Sequence, residues 1–367
     1  MPPITERNRS IDILRNIAIT LVVLGHMFPI PGIMWLQHYF PIYSYHMALF
    51  LFVSGYLFKD MEWQDYGAFV WRKTYTLAIP LIAWNVVYAG IVSLINLRHP
   101  TNYFPATESI WNIHNLFVEP FIGGHQYILN LSTWFVGMLY LALLIYGLFH
   151  LISKKIPEWV LLLIFAIMAF TAIYSATLPT NIRILLVPQR IAYALFFIQF
   201  GRCFRIYIEH LITAKNIGWI LLIILIARFG IMIGGDHAYV LVWMRFDGDM
   251  LRPLLLGMLG CLFWMLLSIQ IAHLIKPNKL EILIGTSTWS IMTHHLLVRF
   301  MICWIVVHFS NDLSLREKFM TDLWFFPPGV SIYIMAIVLE IGLPVLWQFI
   351  FDKFKKRIQP TYICNKL

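Results

Sequence analysis

Long apolar runs follow one another along almost the whole chain, and the short segments between them carry most of the charged residues. Each run has about 18 to 25 residues, which as an α-helix is long enough to cross a hydrocarbon core of about 30 Å. The pattern predicts spans at residues 11–28, 39–57, 77–97, 133–152, 159–175, 190–206, 217–233, 251–274, 282–309 and 326–351. We therefore expect an all-α polytopic membrane protein with about ten transmembrane helices in one domain.

The basic residues alternate between the two sides of this predicted bundle. Of the 27 Lys and Arg residues, seventeen fall on one side, seven on the other and three inside the spans. Because cytoplasmic loops are enriched in Lys and Arg, the bias places both termini in the cytoplasm, which an even number of spans also requires. Residues 1–357 then form one transmembrane domain, and residues 358–367 form a short cytoplasmic tail.

Composition and charge exclude several classes of protein. Apolar residues make up 60% of the chain and charged residues 12%, against roughly 25% charged residues in soluble domains, so an ordinary soluble enzyme is excluded. The net charge of +9 comes from scattered basic residues without a continuous stripe, which indicates membrane topology and no nucleic-acid partner. The four cysteines lack the spacing of metal ligands, and we expect no metal.

Polar residues inside the first span are the first candidates for chemistry, since a charge near the centre of a span costs at least about 2.5 kcal/mol. Asp12 and Arg15 are three residues apart and can form a structural ion pair. Arg15 and His26 share nearly the same helix face, about 16 Å apart in depth. This suits a long ligand such as coenzyme A, with its charged head at Arg15 and its thioester near His26 as general base. A structural histidine is the alternative.

Five sequence blocks together resemble acyltransferase family 3, a family of integral membrane acyl-transfer proteins, and especially its short members that are similar to fucose 4-O-acetylase. They are IDILRNIA at 11–18 with ten residues between Arg15 and His26, HMALFLFVSGYLF at 46–58, Arg72-Lys73, TWF at 133–135 and SIMTHH at 290–295. Asn16 and the doubled histidine of the last block depart from the commoner pattern. The resemblance therefore leaves open which of His294 and His295 is functional.

The resemblance implies transfer of an acyl group, most often acetyl from cytoplasmic acetyl-CoA, to a hydroxyl of an envelope carbohydrate. His26 and His46 are then the catalytic candidates, and Arg15, Arg72 and Lys73 are candidates for binding acyl-CoA. Trp134, His294 and His295 are candidates for binding the acceptor. Asp12, Ser54 and Gly55 are expected to be structural. Each assignment has a simpler alternative, such as helix packing, an aromatic belt or positive-inside anchoring.

The expected partners are acyl-CoA, a carbohydrate acceptor that is free or lipid-linked, and the lipids of a bacterial cytoplasmic membrane. The alternative function is a transporter or flippase for a lipid-linked saccharide, because buried histidines and arginines also form proton relays and substrate paths.

Among the other charged residues inside spans, Glu340 could pair with Arg228 or with Arg299, and the sequence does not choose between them.

Overall fold

The computed structural model of the protein is helical, and it describes residues 8–27, 40–98, 110–123, 127–178, 185–232, 239–246, 249–310, 312–322 and 325–358. Its α-helices are α1 (Arg9–His26), α2 (His46–Tyr56), α3 (Trp63–Lys73), α4 (Ile79–Arg98), α5 (Glu119–Ile122), α6 (Trp134–Ile152), α7 (Glu158–Ala176), α8 (Leu186–Cys203), α9 (Ile217–Met232), α10 (Arg252–Leu274), α11 (Lys279–Thr286), α12 (Thr288–Phe309), α13 (Leu313–Thr321) and α14 (Val330–Ile358). Almost all of the predicted tail at 358–367 lies outside the described residues.

The described part of the chain contains seven helical stretches that are long and apolar enough to cross a membrane, which makes this a multi-pass membrane protein. The other three predicted spans correspond to α1, α2 and α9. The 18 residues of α1 include three charges, whereas α9 has 16 residues and α2 only 11. At 1.5 Å per residue α2 is about 16 Å long, roughly half of the hydrocarbon core. The number of ten spans and the side on which the termini lie stay predictions.

Two helix boundaries differ from those predicted by hydropathy. The third helical stretch begins at Trp63 rather than at residue 77, because Glu62 and Asp65 form a capping box and a π-helical turn, Thr74–Ala78, joins α3 to α4. The predicted ninth span is instead two helices, α11 and α12, which meet at Ser287 within a polar triplet.

The centre of the bundle is the contact between α2 and α8, where the two backbones touch. A Cβ atom on Gly55 would lie 1.7 Å from the carbonyl oxygen of Ile198, and one on Gly201 would lie 1.9 Å from that of Phe52. Small residues permit such an approach between membrane helices. Helix α1 packs against α2, α10 and α12 around this centre, which brings the histidines of three helices together.

Candidate functional site

Two histidines from different helices meet inside the bundle. The ring of His26, the last residue of α1, lies 5.4 Å from the ring of His295 in α12, measured between centroids, and the rings are tilted by 35°. The Nδ1 atom of His295 donates a hydrogen bond of 2.8 Å to the carbonyl oxygen of Ile291. Its Nε2 atom is buried and has no hydrogen-bond partner in the described part of the protein. In the neutral imidazole that nitrogen is therefore a hydrogen-bond acceptor.

The neighbouring His294 faces in a different direction, because successive residues on an α-helix are about 100° apart. Its Nδ1 atom lies 3.0 Å from the hydroxyl oxygen of Tyr88, and its ring centroid lies 4.3 Å from that of Trp84, edge to face. Both partners belong to α4. The structure thus separates the doubled histidine, with His295 at the centre beside His26 and His294 in the α4–α12 contact.

His46 begins α2 and is buried. Its Nδ1 atom lies 2.8 Å from the carbonyl oxygen of Ile42, and its ring is edge-on to that of Tyr43 at 5.1 Å. The Tyr43 hydroxyl donates a 3.0 Å hydrogen bond to the carbonyl oxygen of Gly25, which directly precedes His26. Tyr43 therefore ties the start of α2 to the end of α1, a connection between distant segments that sequence analysis missed.

A cavity of about 1150 Å³ opens at the Arg15 end of the bundle. It brings together all three predicted acyl-CoA ligands, Arg15 from α1 and Arg72 and Lys73 from α3. Its inner part is lined by Phe50 and Met292, which lie one helical turn from His46 and His295 respectively. The cavity thus extends from a basic mouth toward the central histidines, which is the arrangement that a long ligand with a charged head requires.

Positive charge predominates at the cavity mouth. Asp60 also lines the cavity, but it accepts a 2.6 Å hydrogen bond from the Arg202 guanidinium. Partial burial opposes ionisation of Asp60, yet the hydrogen bond and charge of Arg202 lower the pKa of its carboxyl below the ordinary value. A side-chain nitrogen of Arg15, meanwhile, lies 3.4 Å from the hydroxyl of Thr288. The mouth can therefore bind phosphate groups through charge-assisted hydrogen bonds.

The residues expected to be structural lie at three different places in the fold. Asp12 is buried near the start of α1. Ser54 lines the cavity, and its hydroxyl donates a 2.8 Å hydrogen bond to the carbonyl oxygen of Phe50. Gly55 makes the backbone contact with α8. The guanidinium carbon of Arg190 lies 5.5 Å from the centre of the Trp134 ring.

The two arginines that could pair with Glu340 have different surroundings. Arg228 donates hydrogen bonds to Ser44 Oγ at 2.7 Å and to the carbonyl oxygen of Leu256 at 2.8 Å. Arg299 lies one turn beyond His295, and its guanidinium carbon is 5.2 Å from the centre of the Phe326 ring. The position of both arginines inside predicted spans marked them as candidates, but only the fold shows which one lies beside the histidine centre.

Within the described ranges, no group of three or more His, Cys, Asp and Glu side chains could hold a metal ion.

The family model described as "Acyltransferase domain" matches residues 8–346. Nodulation protein NolL of Mesorhizobium japonicum is 26% identical over 139 residues, 36% of this chain and 31% of that protein. Nodulation protein NolL of Sinorhizobium fredii is 25% identical over 186 residues, 49% of this chain and 44% of that protein.

The chain thus spans less than half the length of either relative. No solved structure shows a significant match. The family match, by contrast, extends from the start of α1 into α14 and includes every helix that lines the cavity or carries a central histidine. The chain belongs to the acyltransferase family, and it is one of its membrane-embedded members.

Proposed function

We propose that the protein is an O-acyltransferase that moves an acetyl group from acetyl-CoA to a hydroxyl of an envelope carbohydrate. The observation that carries the proposal is the single cavity that gathers Arg15, Arg72 and Lys73 at its mouth and ends one turn from His46 and His295. Arg15, Arg72 and Lys73 bind the phosphates of the donor. Its pantetheine arm extends along the apolar part of the cavity toward the histidines.

His26 acts as the general base in this proposal. It takes the proton of the acceptor hydroxyl as the hydroxyl oxygen attacks the thioester carbonyl. The new carbon–oxygen bond forms, the carbon–sulfur bond breaks, and the CoA thiol leaves with the proton through the cavity. His295, whose ring lies beside that of His26, and His46 hold the His26 ring in orientation. We place the protein in the cytoplasmic membrane of a bacterium, with the Arg15 end facing the cytoplasm, where acetyl-CoA is available.

Transfer of labelled acetyl groups tests this function. Wild type, His26→Ala and the control His273→Ala, which changes an exposed histidine at the end of α10, are reconstituted at equal amounts with labelled acetyl-CoA and envelope carbohydrate. We expect His26→Ala to lower transfer by at least about a hundredfold, the usual contribution of a general base, and His273→Ala to match wild type.

Two other outcomes would count against the proposal. Equal transfer by wild type and His26→Ala would make His26 structural. If wild type transfers no label but moves a lipid-linked saccharide across the vesicle membrane, the transporter alternative is correct. Binding of labelled acetyl-CoA, measured on the same samples, shows whether His26→Ala still presents a folded donor cavity.

A further inference from the structure

Arg299 of α12 and Glu340 of α14 are buried side chains on two helices that pack together, and Arg299 lies one turn beyond His295. Their exposed fractions are 5% and 0%. Among the residues that the structure describes, neither terminal nitrogen of Arg299 and neither carboxylate oxygen of Glu340 has a hydrogen-bond partner. Helices α12 and α14 pack against each other, but no ion pair joins these two described side chains. Two donors and two acceptors therefore face a buried region without protein partners.

Burying these four polar atoms without partners lowers the stability of the fold, and nothing offsets this cost if Arg299 and Glu340 serve only packing. A buried donor or acceptor without a partner costs about 1 to 3 kcal/mol, and more if it is charged. Arg228 shows how this bundle accommodates a buried arginine whose role is packing. Its guanidinium donates two hydrogen bonds and lies 4.0 Å from the ring centre of Phe40. Arg299, in contrast, has a ring contact with Phe326 at 5.2 Å but no hydrogen bond from its terminal nitrogens.

The local sequence of α14 adds another acceptor at this position. Pro344 lies inside α14 and has no amide hydrogen, so the carbonyl oxygen of Glu340 loses its helical donor four residues along the chain. The carbonyl oxygen of Pro344 itself accepts a 2.9 Å hydrogen bond from Ser290 Oγ, which holds this part of α14 against α12. The proline thus increases the acceptor capacity at Glu340 while the helix contact stays fixed.

The chemistry of the pair restricts what can lie between them. A guanidinium only donates hydrogen bonds, and the carboxyl group of Glu340 can accept them. A group that satisfies both accepts from Arg299 and donates to Glu340, as a hydroxyl does. A cation offers no acceptor to the guanidinium and would be repelled by Arg299. His295 Nε2, one turn away, is a further acceptor without a protein partner in the described residues.

We propose that Arg299 and Glu340 bind the acceptor hydroxyl and orient it toward His26. This inference rests on the proposed function and adds the site for the second substrate. Arg299 lies four residues beyond His295, on the side away from Met292 and the donor cavity. Donor and acceptor then approach the histidines from opposite directions. Arg299 donates to the hydroxyl oxygen, Glu340 accepts from a hydroxyl of the same sugar, and His26 takes the proton that is transferred.

The test compares transfer with hydrolysis in nanodiscs that contain wild type, Arg299→Gln, Glu340→Gln or the control Arg316→Gln, an exposed arginine of α13. The probes are labelled acetyl-CoA with an envelope carbohydrate extract, and labelled acetyl-CoA alone. We expect both central variants to lower transfer at limiting extract at least about tenfold. Acetyl-CoA binding and the slow hydrolysis without extract stay within about twofold of wild type, because the donor cavity is unchanged.

A double variant, Arg299→Gln with Glu340→Gln, keeps the proposal falsifiable if a single buried charge prevents folding. The double variant replaces both ionisable side chains with neutral amides, so neither is left as a buried charge without its partner. We expect this variant to be as stable as wild type and as poor in transfer as either single variant. If the pair were merely structural, the double variant would regain wild-type transfer once it is as stable as wild type.

Each remaining outcome is decisive. Transfer within about twofold of wild type in all three variants means that the pair binds only water. An equal fall in transfer and hydrolysis means that the pair serves the reaction centre or the fold and not the acceptor. If wild type neither binds acetyl-CoA nor transfers label, the proposed function fails, and the acceptor site fails with it. If wild type is active while the variants match it, only the acceptor site is overturned.

Discussion

His294 and His295 are chemically identical neighbours with different surroundings, and the difference leads to a prediction. We expect His295→Ala to lower transfer at least about tenfold, the equivalent of one hydrogen bond, because its ring lies against His26. His294→Ala removes a contact with Tyr88 and Trp84, so it should lower stability with little effect on kcat. Rates per folded molecule, taken with melting curves, check this. A larger loss of kcat for His294→Ala would contradict the assignment.

The basic residues of the cavity give a prediction about donor affinity. Arg72 and Lys73 line the cavity, and in the proposed function they bind phosphates remote from the reacting carbon. Arg72→Gln and Lys73→Gln should therefore each raise the KM for acetyl-CoA several-fold while kcat stays near wild type. The effect should shrink at high salt, which screens exposed charges. Lys276→Gln changes an exposed lysine after α10 and serves as the control. An unchanged KM would mean that Arg72 and Lys73 do not bind the donor and only orient the helix in the membrane.

At the scale of single residues, the sequence indicated the chemical types and the structure supplied the partners. Arg15 could be selected because charges inside spans are rare, and Arg72 and Lys73 because of the family resemblance. All three line one cavity. The tie between Tyr43 and Gly25 could not be predicted, because it joins two helices through a hydrogen bond to a backbone carbonyl. The choice between Arg228 and Arg299 also depends on tertiary contacts that have no sequence period.

Among the helices, the close contact of α2 with α8 gives a stability prediction. Gly55→Ala would place a Cβ atom 1.7 Å from the Ile198 carbonyl oxygen, whereas Gly90 of α4 has open space around the equivalent position. Forcing the two backbones apart should cost about 1 to 3 kcal/mol of unfolding free energy. Gly90→Ala should be neutral or slightly stabilising. Melting curves of both variants in the same detergent compare them, and equal melting temperatures would contradict the observed packing.

Hydropathy located the apolar helices but not their ends or breaks. A window of about 19 residues averages over the polar triplet at Ser287, so α11 and α12 were predicted as one span. The same averaging also places the start of the third span too late. The helix begins directly after the capping residue Glu62, in a polar segment that hydropathy does not count as part of the span. The short α2 is the opposite case, since apolar residues on both of its flanks extend the predicted span beyond the helix.

For the whole molecule, the alternation of basic residues predicts an orientation that can be measured. With Cys364 replaced by Ser, Lys155→Cys lies in the turn between α6 and α7, and Ser314→Cys lies on α13 at the opposite end of the bundle. The cysteines Cys203, Cys261 and Cys303 are buried and should not react. We expect a membrane-impermeant maleimide to label Ser314→Cys in intact spheroplasts and Lys155→Cys only after lysis. The reverse pattern would invert the predicted topology.

The inner end of the donor cavity has a further consequence for the membrane. The rings of Phe50 and Phe135 lie there with centroids 5.7 Å apart, and the apolar Met292 completes the surface. Narrow apolar constrictions lose their water and thereby block the passage of ions. A wide aqueous vestibule can therefore reach far into the bundle without becoming a channel, and the electrical insulation of the membrane is preserved.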